Sequence, residues 1–211
     1  MNQDLKRFEN EAHGKGYCRV AGVDEAGRGP LAGPVVASAV ILGDDIRLDG
    51  INDSKQLTAR KRLAAYQRIC RDAWAVGIGV IDAEIIDRIN ILQAALLAME
   101  VAVAHLDPPP DFLLIDGTHC TTLELPQRAI PKGDARSVSI AAASIVAKVT
   151  RDRLMEGYHT QYPAYRFDRH KGYPTQAHRE AVRKHGCCPI HRVSFRGVKE
   201  HAQPLREQPP K

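Results

Sequence analysis

The order of elements along this chain predicts an α/β fold in which a mixed β-sheet is covered by helices. Three observations carry that expectation. Short β-branched apolar runs, each of strand length, recur among longer helical stretches along the 211 residues. The first two runs are joined by a glycine-rich turn and are expected as antiparallel neighbours. Beyond them, strands and helices alternate, as they do where helices cover a sheet.

Residues 1–16 form a polar lead-in in which Leu5 and Phe8 stand at helical spacing and Gly14 and Gly16 end the segment. Tyr17 to Asp24 is the first strand. Pro34 to Leu42 is the second, valine-rich and too short for a helix, and the turn Gly27–Gly33 connects the two. After a loop from Gly50 to Lys55, Thr58 has the character of an N-cap for a helix over Ala59 to Arg71. Trp74 to Ile81 is a third strand, weakened by its glycines. Asp82 caps a short helix, Ala83 to Ile89. Asn90 caps a longer one, Ile91 to Leu106, whose apolar and small residues predict burial on several sides.

Pro108-Pro109-Pro110 stops that helix, and Phe112 to Asp116 is a buried strand ending on an acid followed by glycine. Leu123 to Ile130 adds an edge strand or a loop. Ser137 to Tyr158 is a long helix whose first half, Ser139 to Ser144, is small enough to lie very close to a sheet. Thr175 caps a last helix that ends at His185. One domain over 17–198 is expected, with a basic helical part over 151–198 and a disordered tail over 199–211.

Hydrophobic residues make up 44% of the chain and charged residues 26%, which excludes wholesale disorder. No apolar run reaches the length of a membrane span, and Met1 to Asn10 is too polar for a signal peptide. The five cysteines are odd in number and two are adjacent, which is no disulfide framework and suits a reducing cytoplasm. Cys187, Cys188 and His191, with His185 nearby, lack a second Cys/His pair at matching spacing, which argues against structural zinc. The net charge of +5 is unevenly spread: between Arg151 and Lys199, eleven Lys or Arg stand against four Asp or Glu. A basic C-terminal quarter on a carboxylate-bearing core points to an enzyme that grips a polyanion.

The carboxylates gather by position. Asp24, Glu25 and Asp116 each end a predicted buried strand, the sheet edge where ligands bind in α/β folds, and Asp134 precedes the long helix at the same edge. Four converging acids suit one or two Mg²⁺ or Mn²⁺ ions, hard cations with oxygen ligands. Two such ions about 3.5–4 Å apart activate water and stabilise the leaving oxygen of a phosphodiester. Neighbouring strand residues point to opposite faces. Asp24 and Glu25 therefore both reach one metal pair only if the strand breaks at Glu25 or its carbonyl contributes, and Ala26-Gly27 offers the place for a break. No Gly-x-x-x-x-Gly-Lys-Ser/Thr stretch is present, which removes a P-loop enzyme from consideration.

Taken together, these stretches resemble the bacterial type 2 ribonucleases H, the ribonuclease HII family. The resemblance rests on Gly22-Val23-Asp24-Glu25-Ala26-Gly27-Arg28-Gly29-Pro30, Asn52-Asp53-Ser54-Lys55-Gln56-Leu57, Ile115-Asp116-Gly117, Lys132-Gly133-Asp134, Ser139 to Lys148, Lys171-Gly172-Tyr173-Pro174-Thr175 and His191-Arg192-Val193-Ser194-Phe195. It implies a ribonuclease H-like fold, a central mixed sheet flanked by helices with a small helical C-terminal part. It implies a metal site of Asp24, Glu25, Asp116 and Asp134, and a Gly27-Arg28-Gly29 loop whose backbone reads the 2′-OH at an RNA–DNA junction. It further implies that Tyr173 packs on the deoxyribose after the junction.

Glycines let a backbone come close enough to touch a 2′-OH, the one group that separates RNA from DNA at a single position. Lys148 and Ser144, four residues apart on the long helix, can face phosphate, with Lys55 a weaker candidate. Two departures stand out: Thr118-His119 follows Gly117 where the family more often has asparagine, and Arg196-Gly197 follows Phe195. The related type 3 enzymes carry a sizeable N-terminal substrate-binding domain, and only about sixteen residues precede the first strand here. The expectation is a monomeric cytoplasmic endonuclease that uses Mn²⁺ or Mg²⁺ and acts on RNA–DNA hybrids and ribonucleotide-containing duplex DNA.

Overall fold

The structure, a computed structural model, describes residues 5–43 and 57–202. Five strands, β1 (Val20–Ala26), β2 (Val35–Ile41), β3 (Ala75–Ile81), β4 (Phe112–Asp116) and β5 (Gln127–Ile130), form one sheet in the order β3-β2-β1-β4-β5. β1 pairs antiparallel with β2 and β2 with β3, whereas β4 pairs parallel with both β1 and β5. This is the mixed sheet of a ribonuclease H-like fold. The helices are α1 (Arg7–His13), α2 (Ala59–Asp72), α3 (Ala83–Ile89), α4 (Ile91–Ala104), α5 (Val138–Gln161), α6 (Phe167–His170) and α7 (Gln176–His185).

Two helices sandwich the sheet. α4 packs on the face carrying Ala21, Val23, Leu113 and Ile115. α5 covers the other, meeting Val40 in one cluster and Val20, Leu114 and Ile130 in another. The close approach expected of the small-residue helix is real: a Cβ on Gly22 would stand 2.0 Å from the Ser139 carbonyl carbon. The glycines of β3 have the same use. A Cβ on Gly77 or Gly79 would meet the carbonyl oxygens of Ala102 and Ala98 at 1.9 and 2.0 Å, so these glycines are where α4 lies against the strand.

Helix starts follow the local signals. The side chains of Thr58, Asp82, Asn90, Ser137 and Thr175 each accept an amide hydrogen bond from the first turn they precede. The lead-in is tied to the core through buried Glu9, whose Oε1 accepts from Ser137 Oγ, Ser139 Oγ and the Ser139 amide. At the other end, Lys199 and Ala202 bond back to Phe195 and Val198, and residues 203–211 lie outside the described chain. Among the described residues, no helix is long and apolar enough to cross a membrane.

Element ends shift by a few residues, β5 starting at Gln127 rather than Leu123 and α5 running on to Gln161, and β1 departs at both ends. β1 begins at Val20 rather than Tyr17, and it does not break at Glu25. Glu25 pairs with Ala37 and Ala26 with Val36, because β2 continues alongside and keeps the ladder closed to that point.

Candidate functional site

The site is built where β1 and β4 end together. Val23 stands opposite Ile115 in a parallel ladder, so the next residues, Asp24 and Asp116, come abreast at the sheet edge. Strand alternation then separates Asp24 from Glu25. Asp24, only 4% exposed, faces α5 and takes a hydrogen bond from Ser144. Glu25 turns to the opposite side, where it lines a depression with Leu92 and Met99 of α4 and meets Arg28 Nη1 at 3.2 Å. Glu25 and Asp116 each line both depressions, so the two meet at the rim between the faces.

The main cleft, about 290 Å³, is walled by Asp24, Glu25 and Asp116, by the Ala26–Gly29 turn, and by Arg62, Ser144, Lys148 and Tyr173. The second depression, about 280 Å³, continues past Gly117, Thr118, His119 and Lys132. The Thr118-His119 departure therefore sits on the flank away from Ser144 and Lys148. Asp134 lies in the tight turn Gly133–Ala135, where it is buried. That turn is tied to the rim by the Gly133 amide, which donates to Asp116 Oδ1 at 2.6 Å. Three acids thus reach the cleft wall, and the fourth sits in the turn beside them.

Negative charge is crowded here. Burial first, and then the charges of Glu25 and Asp116, push the Asp24 carboxyl well above the ordinary aspartate range. The Ser144 hydroxyl and the Glu25 amide, 2.7 Å away, act against that shift. A buried carboxylate flanked by two others is a place that a hard divalent cation would stabilise. Among the described residues, no three His, Cys, Asp or Glu side chains are already drawn close enough to hold an ion. The donors are all carboxylate oxygens, which fits Mg²⁺ or Mn²⁺ and not a soft metal.

The loop that follows the acids is Gly27-Arg28-Gly29. Gly27 has φ of +102°, and a Cβ there would stand 2.1 Å from Arg151 Nε, so glycine is required by both conformation and space. Beyond it the chain is strapped from both sides. The Leu31 amide donates to Gly172, the Gly33 amide to Ile190, and the Arg192 amide to Leu31. The Lys171–Thr175 and His191–Phe195 motifs are thereby the walls that hold this loop.

Tyr173 stands 42% exposed beside Gly29, its Cε1 3.8 Å from where a glycine Cβ would lie. Lys148 lines the cleft and is ion-paired with Asp152 at 2.7 Å. Lys55 lies outside the described residues. Sequence reasoning missed three arginines. Arg62 reaches the cleft from the first turn of α2, signalled only by the run Arg60-Lys61-Arg62. Arg151 and Arg192 were counted into the basic quarter, but both are fully buried under the loop.

The Cys/His group makes a hydrogen-bonded chain. Cys188 N–H donates to His191 Nδ1 at 3.0 Å, His191 Nε2 lies 3.1 Å from His178 Nε2, and His178 Nδ1 lies 2.9 Å from the Tyr173 carbonyl. Burial pushes both histidines down to about 4, so each is neutral at neutral pH. One tautomer then satisfies every atom: His178 Nδ1–H donates to Tyr173, and His191 Nε2–H donates to His178. These side chains brace the Tyr173 backbone.

The ribonuclease HII family profile matches residues 21–198. Ribonuclease HII of Geobacter metallireducens is 57% identical over 202 residues, spanning 96% of this chain and 95% of that protein. Ribonuclease HII of Bacillus pumilus is 57% identical over 198 residues, spanning 93% of this chain and 77% of the relative. The crystal structure of the ribonuclease H2 from Pyrococcus horikoshii aligns with a TM-score of 0.73 at 28% identity, covering 87% of this chain and 96% of the other. With the family profile and relatives of this identity covering most of its length, the chain belongs to the ribonuclease HII family and is a ribonuclease H-type hydrolase.

Proposed function

We propose that this enzyme hydrolyses the RNA strand of RNA–DNA hybrids and nicks duplex DNA on the 5′ side of an embedded ribonucleotide, leaving 3′-OH and 5′-phosphate ends. The observation that carries the reading is one cleft lined by three carboxylates together with the Gly27–Gly29 turn and Tyr173. That pairing sets a place for phosphodiester hydrolysis beside groups able to inspect a sugar.

Asp24, Glu25 and Asp116, with Asp134 in the adjoining turn, are assigned to hold Mg²⁺ or Mn²⁺. Bound there, a divalent ion would supply the Lewis acidity that activates water and stabilises the departing oxygen. The chain's own groups do the rest. Gly27, Arg28 and Gly29 present backbone at the 2′-OH, and Tyr173 packs on the sugar beyond the junction, where a further 2′-OH would clash. Lys148 and Ser144 face the phosphate, and the Ser144 hydroxyl also orients Asp24. Arg62 adds a second cation on the cleft wall.

The test is a labelled DNA duplex carrying one ribonucleotide, incubated with Mn²⁺ or Mg²⁺, with and without chelator. A single nick 5′ of the ribonucleotide, abolished by chelator, is the expected result. Uncut duplex under every condition would overturn the assignment.

A further inference from the structure

The segment Gly27–Pro34 is held from within by two arginines. Arg192 Nε donates to the Gly33 carbonyl at 3.0 Å, its Nη1 to those of Arg28 and Pro30 at 3.0 and 2.9 Å, and its Nη2 to that of Gly27 at 2.6 Å. Arg151 takes the far end, donating through Nε to Pro34 at 3.0 Å and through Nη2 to Ala32 at 3.1 Å. Its Nη1 reaches across to the Lys171 carbonyl at 2.9 Å. Both guanidiniums are buried, and among the described residues neither has a carboxylate at ion-pair distance.

Such a pair is a poor solution for packing alone. Two like charges are withdrawn from water, and burial lowers Arg192 to about 9 and Arg151 to about 10. Apolar side chains of similar volume often serve a core as well or better. What arginine supplies is a rigid fork with several donors, able to collect carbonyls that diverge around a turn. The consequence shows on the opposite side of the loop. The amides of Gly27, Arg28 and Gly29 donate to no described residue, and all three residues line the cleft.

We infer that Arg192 is the positioning residue of ribonucleotide recognition: by drawing the loop carbonyls inward it sets the Gly27, Arg28 and Gly29 amides against the substrate sugar, with Arg151 anchoring the far end. This rests on the substrate reading given above. Arg192 touches no substrate and acts only through the loop. Lysine keeps the charge but offers one nitrogen, which cannot span the carbonyls of Gly27, Arg28, Pro30 and Gly33 together.

The test is Arg192→Lys beside the wild-type enzyme and Arg151→Lys, on a duplex with one embedded ribonucleotide, with hydrogen exchange followed over 27–34. For Arg192→Lys, kcat is expected to fall about tenfold to a hundredfold, as a small misplacement of a bound substrate does. KM is expected to change less than about threefold, because phosphate contacts made elsewhere still hold the duplex. Exchange should rise at the Leu31 and Gly33 amides, which are hydrogen-bonded within 27–34, while the β-sheet amides stay protected, and Arg151→Lys should lose less activity. Wild-type kcat in Arg192→Lys overturns the inference, and so does unchanged exchange in the loop. A uniform rise in exchange across the chain overturns it too, by reducing Arg192 to general support. If the wild-type enzyme leaves the duplex uncut, the substrate reading fails, and the loop exchange alone then decides whether Arg192 positions these amides.

Discussion

Two clusters of like charge flank one stretch of chain, one at the end of β1 and one under the loop that follows it, and the fold treats them in opposite ways. At the strand ends, Asp24 is closed off beside Glu25 and Asp116 with its repulsion largely unanswered. Under the loop, Arg151 and Arg192 are equally closed off, but backbone carbonyls take up their donors. The first region is electrostatically incomplete, whereas the second, though its charges also repel, has its hydrogen bonds filled. An incomplete cluster of hard donors is suited to receive a cation, while a finished one is suited to hold a shape. On the proposed function, the difference separates the part of the cleft assigned to chemistry from the part assigned to recognition.

The strongest way to break this comparison is at the acids. Asp116→Asn, which removes one charge from the rim and keeps its shape, is expected to lower kcat by about a thousandfold, on the scale of losing a principal electrostatic contact. Single-turnover cleavage of a ribonucleotide-containing duplex measures it, and near-normal turnover would show that Asp116 is not part of the chemistry.

The finished region is broken by crowding. Gly27→Ala places a methyl 2.1 Å from Arg151 Nε and 2.8 Å from the Pro34 carbonyl at a φ of +102°. A cost of about 1–3 kcal/mol is expected from that conformation, read as a fall in Tm, along with a loss of single-ribonucleotide cutting of about tenfold or more. An unchanged melting curve would mean that the loop is not held as described.

The smallest effect sharpens the contrast through pH. Folding raises the Asp24 carboxyl, so the folded state binds that proton more tightly. The rim's contribution is therefore most favourable below the ordinary aspartate value of 3.8, and it weakens as pH rises through the raised one. The paired histidines slope the other way. Folding lowers them from 6.5 to about 4, so their contribution is complete above 6.5 and is lost as pH falls through about 4. Metal-free Asp24→Asn should melt about 2–4 °C higher than wild type near neutral pH, equivalent to about 1 kcal/mol. It should keep the acid-side loss and no longer gain stability from added Mg²⁺. Equal melting of the two proteins in chelator would remove the claim that the rim is strained.

Much of this was legible in the sequence because it is local. Caps such as Thr58, Asp82, Asn90 and Thr175 act on amides two or three residues ahead, and strand runs show their burial in their own composition. The glycines of β3 were visible but misjudged: as a local pattern Gly77 and Gly79 weaken a strand, and only the helix laid over them explains their presence. The continuation of β1 through Glu25 was likewise set by a neighbouring strand and not by the turn-prone Ala26-Gly27.

By itself the sequence determined the sheet-and-helix alternation, the four acids near strand ends and the glycine loop beside them. Only the tertiary structure decided which way each charge faces. Asp24 and Glu25, adjacent in the chain, go to opposite faces, while Arg151 and Arg192 leave the basic surface to which composition assigned them and bind loop carbonyls 117 to 165 residues away. The physical reason is range: periodicity and capping are settled within one turn or one strand, whereas a buried charge is settled by whichever distant backbone the fold brings within hydrogen-bonding distance.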